Sequence, residues 1–270
     1  MSGIIQNYKS LIGGASGGNA DTHIKGSGAD IQIFTTTGTN RTSLKPSWAT
    51  MVYIECIGGG AGGGTGHYGS AGRGGAGGGG ASMTRFTFAA ESLASTMTVV
   101  VGAAISAGNP GNHSQVTSGS KVILKAYGGW LGEAGNSSAA RRGGGGGGTG
   151  SRGAANATNH WKGGYPDIQN ATHGDSLAGR GGAGAECAHS LLVGHSAEYG
   201  GGGGGIGGSG GASNHGGSSI YGAGGGAGAG QGSANGGQGG RWGYWAAGGG
   251  GAAGSGRGAN GSNCTSLTYG

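Results

Sequence analysis

Cys187, His189, His195 and Glu198 fall within twelve residues of one another, and thiolate, imidazole and carboxylate are the side-chain ligands of zinc and related ions. Their spacing, C-x-H-x5-H-x2-E, corresponds to no standard metal site, and Leu191-Leu192-Val193 inside it reads as a small apolar plug. No metal and no cofactor is therefore expected. Glycoside hydrolysis needs two opposed carboxylates, for which Glu186 with Glu198, then Asp167 with Asp175, are the nearest pairs. The chain has only nine acidic residues and nothing marks one as a tuned acid, so a capsule-degrading enzyme is a minor reading. Glycine tracts can imitate phosphate-binding loops, but none here continues into G-K-[ST]. R-G-G triplets begin at Arg73, Arg142 and Arg180, too far apart to form an RNA-binding cluster.

What the residue types favour instead is contact chemistry. In the second half, glycine tracts at 143–148, 179–184, 200–205, 222–230, 236–240 and 248–251 alternate with four richer stretches, 156–175, 186–199, 212–221 and 241–245. Those stretches hold most of the Trp, Tyr, His and Asn of this half. Tyr and Trp offer large contact area at low entropic cost, and Ser, Gly and Asn are adaptable partners. The candidate binding residues are His160, Trp161, Lys162, Tyr165, His189, His195, Tyr199, His215, Tyr221, Trp242, Tyr244 and Trp245. Loops held by a rigid scaffold are where such residues usually act.

The scaffold follows from composition. Of 270 residues 80 are Gly, three are Pro and 9% are charged, against about 7% Gly and about 25% charged in ordinary domains. Collagen needs a strict G-X-Y period and abundant Pro, and this chain has neither. That leaves a disordered Gly/Ser chain, or extended glycine strands in polyproline-II geometry packed side by side; the ordered assembly is expected. Such a strand has about three residues per turn and no internal hydrogen bonds, so every buried N–H and C=O needs a partner on a neighbouring chain. Only glycine lets chains approach closely enough on every side. Between Gly200 and Cys264 the large aliphatic residues are Ile206 and Ile220 alone, so apolar burial, worth about 25 cal/mol per Å², cannot order that stretch.

Conventional strands are expected over 31–36, 51–57, 83–88, 97–101 and 121–127, where β-branched and aromatic residues cluster or alternate. Glycine runs at 58–64 and 74–80 leave and rejoin this sheet. The expected fold is mainly β, a small β-sandwich followed by a polyglycine-II sandwich. Residues 1–45 read as an attachment segment, 46–131 as the β-sandwich with the first glycine strands, and 132–270 as the polyglycine-II part with exposed aromatic loops. No helix-period stripe occurs in the second half.

Net charge is +6, but the basic residues are scattered, so nucleic acid is not an expected partner. Cys56, Cys187 and Cys264 form no C-x-x-C pair and are expected as free thiols, as in a reducing cytoplasm. No apolar run reaches the about 18 residues a membrane span needs, and the first residues lack the apolar core of a signal peptide.

Thr39 to Gly64, TNRTSLKPSWATMVYIECIGGGAGGG, resembles the glycine-rich domain of bacteriophage tail-fibre and tail-tip proteins. There a Lys-Pro turn leads into an apolar strand that ends in a glycine run, as Lys45-Pro46, Met51–Ile57 and Gly58–Gly64 do here, with Leu44 where an aromatic residue is common. The second half is similar in style to the adhesins at the tips of T-even-type long tail fibres, in which polyglycine-II helices stack and edge loops meet the host receptor. The resemblance implies a structural virion protein assembled in the host cytoplasm. Residues 1–45 would join other virion proteins in a homo- or hetero-oligomer, and the loops would bind a bacterial surface receptor, an outer-membrane protein or a glycan, without membrane insertion. A virion decoration subunit without receptor binding is the alternative, and an ice-binding protein a lesser one.

Overall fold

The computed structural model describes residues 20–26, 28–67, 74–104, 109–136, 141–155, 161–164, 194, 196–207, 215–222, 224–226 and 228. Strand content dominates their regular structure. Ten strands are present among the described residues: β1 (Thr22–Lys25), β2 (Asp30–Ile33), β3 (Asn40–Leu44), β4 (Met51–Ile57), β5 (Met83–Ala89), β6 (Thr96–Val100), β7 (Ser114–Ser118), β8 (Lys121–Ala126), β9 (Ala154–Ala155) and β10 (Trp161–Lys162). The single helical element among the described residues is a 3-10 turn at Ala90–Ser92. The expected mainly-β class holds.

β4 and β5 form an antiparallel ribbon running from Met51 opposite Ala89 to Ile57 opposite Met83. Alternation in β4 sends Val52, Ile54 and Cys56 to one face and Met51, Tyr53 and Glu55 to the other. β3, β6, β7 and β8 make a four-stranded antiparallel sheet in that order. The inner face of the ribbon packs against the sheet around buried Cys56, Leu93, Met97, Val116 and Ala126, with Phe88, Val99 and Leu124 at the margins. Cys56 is a free thiol, pushed up to about 12 by burial and by the neighbouring Glu55 carboxylate. The expectation for Cys187 and Cys264 lies outside the described residues. The tight β7–β8 turn has Gly119 at φ 59°, a left-handed conformation that suits glycine.

Expected strand bounds shift by a few residues: 31–36 is observed as β2, 97–101 as β6, and 121–127 ends at Ala126. β1, β3 and β7 had no strong signal. NRTSL and SQVTS are mostly polar, and their neighbours supply the pairing that makes them strands. β3, from the stretch read as an attachment segment, is the edge of the four-stranded sheet.

Beyond the ends of these strands the glycine segments form a second region, bonded through their backbones. Gly58, Ala61 and Gly64 donate to the carbonyls of Ser82, Gly79 and Ala76, while Gly59 and Gly62 donate to Asn112 and Asn109. Ala76, Gly79 and Ser82 in turn donate to Glu133, Trp130 and Tyr127, and Gly77, Gly80 and Met83 donate to Gly205, Gly202 and Tyr199. Partners thus recur every third residue. Segment 76–83 also accepts from Gly144 and Gly147, at Gly77 and Gly80, and from Gly226, at Gly78. It therefore touches five neighbouring segments: 58–64, 127–133, 144–147, 199–205 and 226. A β-strand pairs along two edges only, and its side chains alternate with a period of two.

Close approach explains the composition here. A methyl placed on Gly79 would lie 2.2 Å from the carbonyl oxygen of Gly145. Ala61, Ala76 and Ala81 are fully buried within the same region, at positions where a methyl does fit. Tracts from the stretches 46–131 and 132–270 interleave in this block. The tracts 179–184, 236–240 and 248–251 lie outside the described residues.

Candidate functional site

The outer face of the β4–β5 ribbon meets the rim of the glycine block. Tyr53 and Glu55 project outward from β4, and Arg85 stands opposite Glu55 on β5. The Tyr53 hydroxyl donates to Oε2 of Glu55 at 3.0 Å. Burial, then the Glu55 charge and that hydrogen bond, raise the Tyr53 phenol above its ordinary range, with Arg85 opposing the shift.

The glycine block adds two tyrosines. Met83 N–H donates to the Tyr199 carbonyl, which ties segment 199–205 to the start of β5. Tyr221 N–H donates to the Glu198 carbonyl at 2.8 Å. The Ser219 hydroxyl donates to the carbonyls of Glu198 and Gly200 and accepts from Gly222 N–H, closing the turn that carries Tyr221. The Tyr199 and Tyr221 rings stack with centroids 4.7 Å apart and planes 18° from parallel. The guanidinium of Arg85 lies 5.3 Å from the centre of the Tyr221 ring, within cation–π range. Ile220 beside it is 58% exposed. Two stacked rings, a cation on one of them and a phenol–carboxylate pair make a fixed surface with apolar faces and directional polar groups.

Of the residues expected from sequence, Tyr199 and Tyr221 are brought together here. His215 is exposed on a segment whose Gly217 N–H donates to Gly203. Trp161 and Lys162 form β10, opposite Ala155 and Ala154 of β9. His160, Tyr165, His189, His195, Trp242, Tyr244 and Trp245 lie outside the described residues, as does Cys187. Sequence reasoning did not assign Tyr53, Glu55 or Arg85. The signal was present in MVYIECI, whose alternation turns Tyr and Glu away from the core.

No protein-family model matches this chain, and no curated protein does. A cleft of about 750 Å³ opens beside Lys45, Pro46 and exposed Trp48. Two of its charged groups are satisfied internally: Lys45 Nζ donates to the carbonyls of Ala90 and Leu93, and Asp30 pairs with His23 at 2.9 Å. Among the described residues no three His, Cys, Asp or Glu side chains converge on a metal site, and no helix is long and apolar enough to cross a membrane.

Proposed function

We propose that the chain is a structural protein of a bacteriophage particle, a tail-fibre or tail-tip adhesin whose glycine segments form a polyglycine-II lattice and whose rim binds a host surface receptor. The carrying observation is the three-residue recurrence of hydrogen-bond partners around segment 76–83, with five neighbours bonded to it. Three residues per turn is the repeat of a polyproline-II chain, and many neighbours per chain is what a lattice of such chains has. A block held this way has few soft degrees of freedom. Rings anchored to its edge, as Tyr199 and Tyr221 are, meet a partner without first losing much conformational entropy.

Residues 1–45 supply the attachment to other virion proteins in this reading, and the receptor is an outer-membrane protein or a glycan. No catalytic step is assigned. The Lys45-Pro46 turn, the β4 strand and the 58–64 glycine run keep the order of the phage domain that the sequence resembles.

Gold-labelled antibody against the chain, viewed on intact particles by electron microscopy, tests the proposal. Label at fibre or tail tips is expected, and Tyr199→Ala with Tyr221→Ala should reduce adsorption to cells while the melting temperature stays near that of the parent. Label spread over the capsid or tail shaft would favour a decoration subunit. Absence of label from every particle would overturn the virion assignment.

A further inference from the structure

A second surface, sharing no residue with the tyrosine stack, lies where the four-stranded sheet joins the glycine block. Lys125 pairs in register with Gln115, so its side chain leaves the sheet on the side opposite buried Val116 and Ala126. The same alternation places His113 and Tyr127 on the side of Lys125. Lys125 Nζ sits 5.0 Å from the centre of the Tyr127 ring, and the His113 and Tyr127 rings are 6.4 Å apart at 55°. Three residues further along, the guanidinium of Arg152 lies 5.9 Å from the centre of the Trp130 ring. His113, Lys125, Tyr127 and Trp130 are half-buried and Arg152 is exposed.

We infer that this surface binds an anionic saccharide, with Lys125 and Arg152 holding the acidic group and Tyr127 and Trp130 packing against the sugar rings. Two cations and an imidazole are gathered here, and among the described residues none of them is ion-paired with a carboxylate. Their mutual repulsion is felt. Burial, then Lys125 and Arg152, lower the His113 pKa, and burial, then Arg152, lower that of Lys125. Like charges held together cost stability, and a bound anion removes that cost. Each cation also lies over an aromatic ring, which keeps it in place and leaves ring surface beside it. A pyranose presents patches of C–H on its faces and polar groups at its rim, so a ring flanked by a cation suits an acidic sugar. A nucleic acid would ask for cations along a track, one for each neutralised phosphate, whereas the 15 Lys and Arg of this chain are scattered.

Titration calorimetry of the full chain with tetragalacturonate at low salt tests this, against the same oligomer fully methyl-esterified and against a tetrathymidylate. Saturable binding of the acid is expected, at least tenfold tighter than the ester and than the oligonucleotide, and weakened at least tenfold by Lys125→Gln with Arg152→Gln. Trp130→Phe, which keeps a ring, should bind more tightly than Trp130→Leu, and melting curves show whether each variant is folded. Equal binding of acid and ester, no binding of the acid, unchanged affinity in the folded double variant, or a preference for the oligonucleotide would each overturn the inference. Because Tyr199 and Tyr221 are intact in these variants, the outcome is separate from that of the adsorption test.

Discussion

The side-chain amide of Gln32 donates to the carbonyl oxygen of Leu44 at 2.7 Å and accepts from the Leu44 N–H at 3.2 Å. It also accepts from the Ser43 hydroxyl at 2.9 Å. One side chain thereby bonds both backbone groups of a residue on β3, the outermost strand of its sheet. Unpaired edge groups invite association with other chains, and Gln32 covers this pair with the β1–β2 hairpin.

Replacing Gln32 with Ala should therefore loosen the hairpin without unfolding the sheet. Two lost backbone contacts at about 0.5–1.5 kcal/mol each set the scale. The expected result is faster amide exchange at 22–33 and at Leu44, with little change in the main melting transition. Equal exchange in variant and parent would show that the hairpin is held by something else.

Asp21 carries the other clamp on this hairpin. Burial disfavours its charge, but N–H groups of Thr35 and Thr36, the Thr36 hydroxyl and Arg41 outweigh it and hold the carboxyl at about 2, against 3.8 ordinarily. A depressed folded pKa stabilises the fold fully above the unfolded value and loses that contribution as pH falls through the folded one. The amide shifts of Thr35 and Thr36 should therefore titrate with a midpoint at about 2, and Asp21→Asn should abolish the transition. A midpoint near 3.8 would mean the clamp does not form.

Legibility in the sequence tracked where the physics is local. Met51–Ile57 and Met83–Ala89 announce themselves through their apolar and aromatic residues, and in Met51–Ile57 the more and less exposed residues alternate as a half-buried strand's do. Tyr53 and Glu55 were readable from the same alternation once its outward face was followed as carefully as the inward one. β3 and β7 were not readable, since NRTSL and SQVTS become strands through partners distant in sequence. Glycine tracts signalled close packing, but which tract bonds to which is invisible in runs of identical residues. Tyr199 and Tyr221 were singled out individually, while their stacking depends on a turn closed by the Ser219 hydroxyl. Arg85 joins them because Met83, two residues before it, bonds to the backbone of Tyr199.

The block's register can be tested without changing composition, by exchanging Gly75 and Ala76 in one variant, Gly75→Ala with Ala76→Gly. Ala76 is fully buried, its methyl is accommodated, and its N–H donates to the Glu133 carbonyl at 3.0 Å. A methyl on Gly75 would instead lie 2.1 Å from the carbonyl oxygen of Gly64, which is backbone and has nowhere to rotate. Separating these chains breaks contacts such as the one from Gly64 N–H to the Ala76 carbonyl, at about 1–3 kcal/mol for each buried group left unpaired. Ala76→Gly alone is the reference, costing about 1 kcal/mol through backbone freedom and a lost methyl. Gly28→Ala is the second control, because a methyl there meets nothing within 4 Å. The expected order of melting temperatures is Gly28→Ala near the parent, Ala76→Gly slightly below it, and the exchanged pair far below both. If the exchanged pair melts with Ala76→Gly, chains 58–64 and 74–82 can slide past one another, and the three-residue register is not what holds the block together.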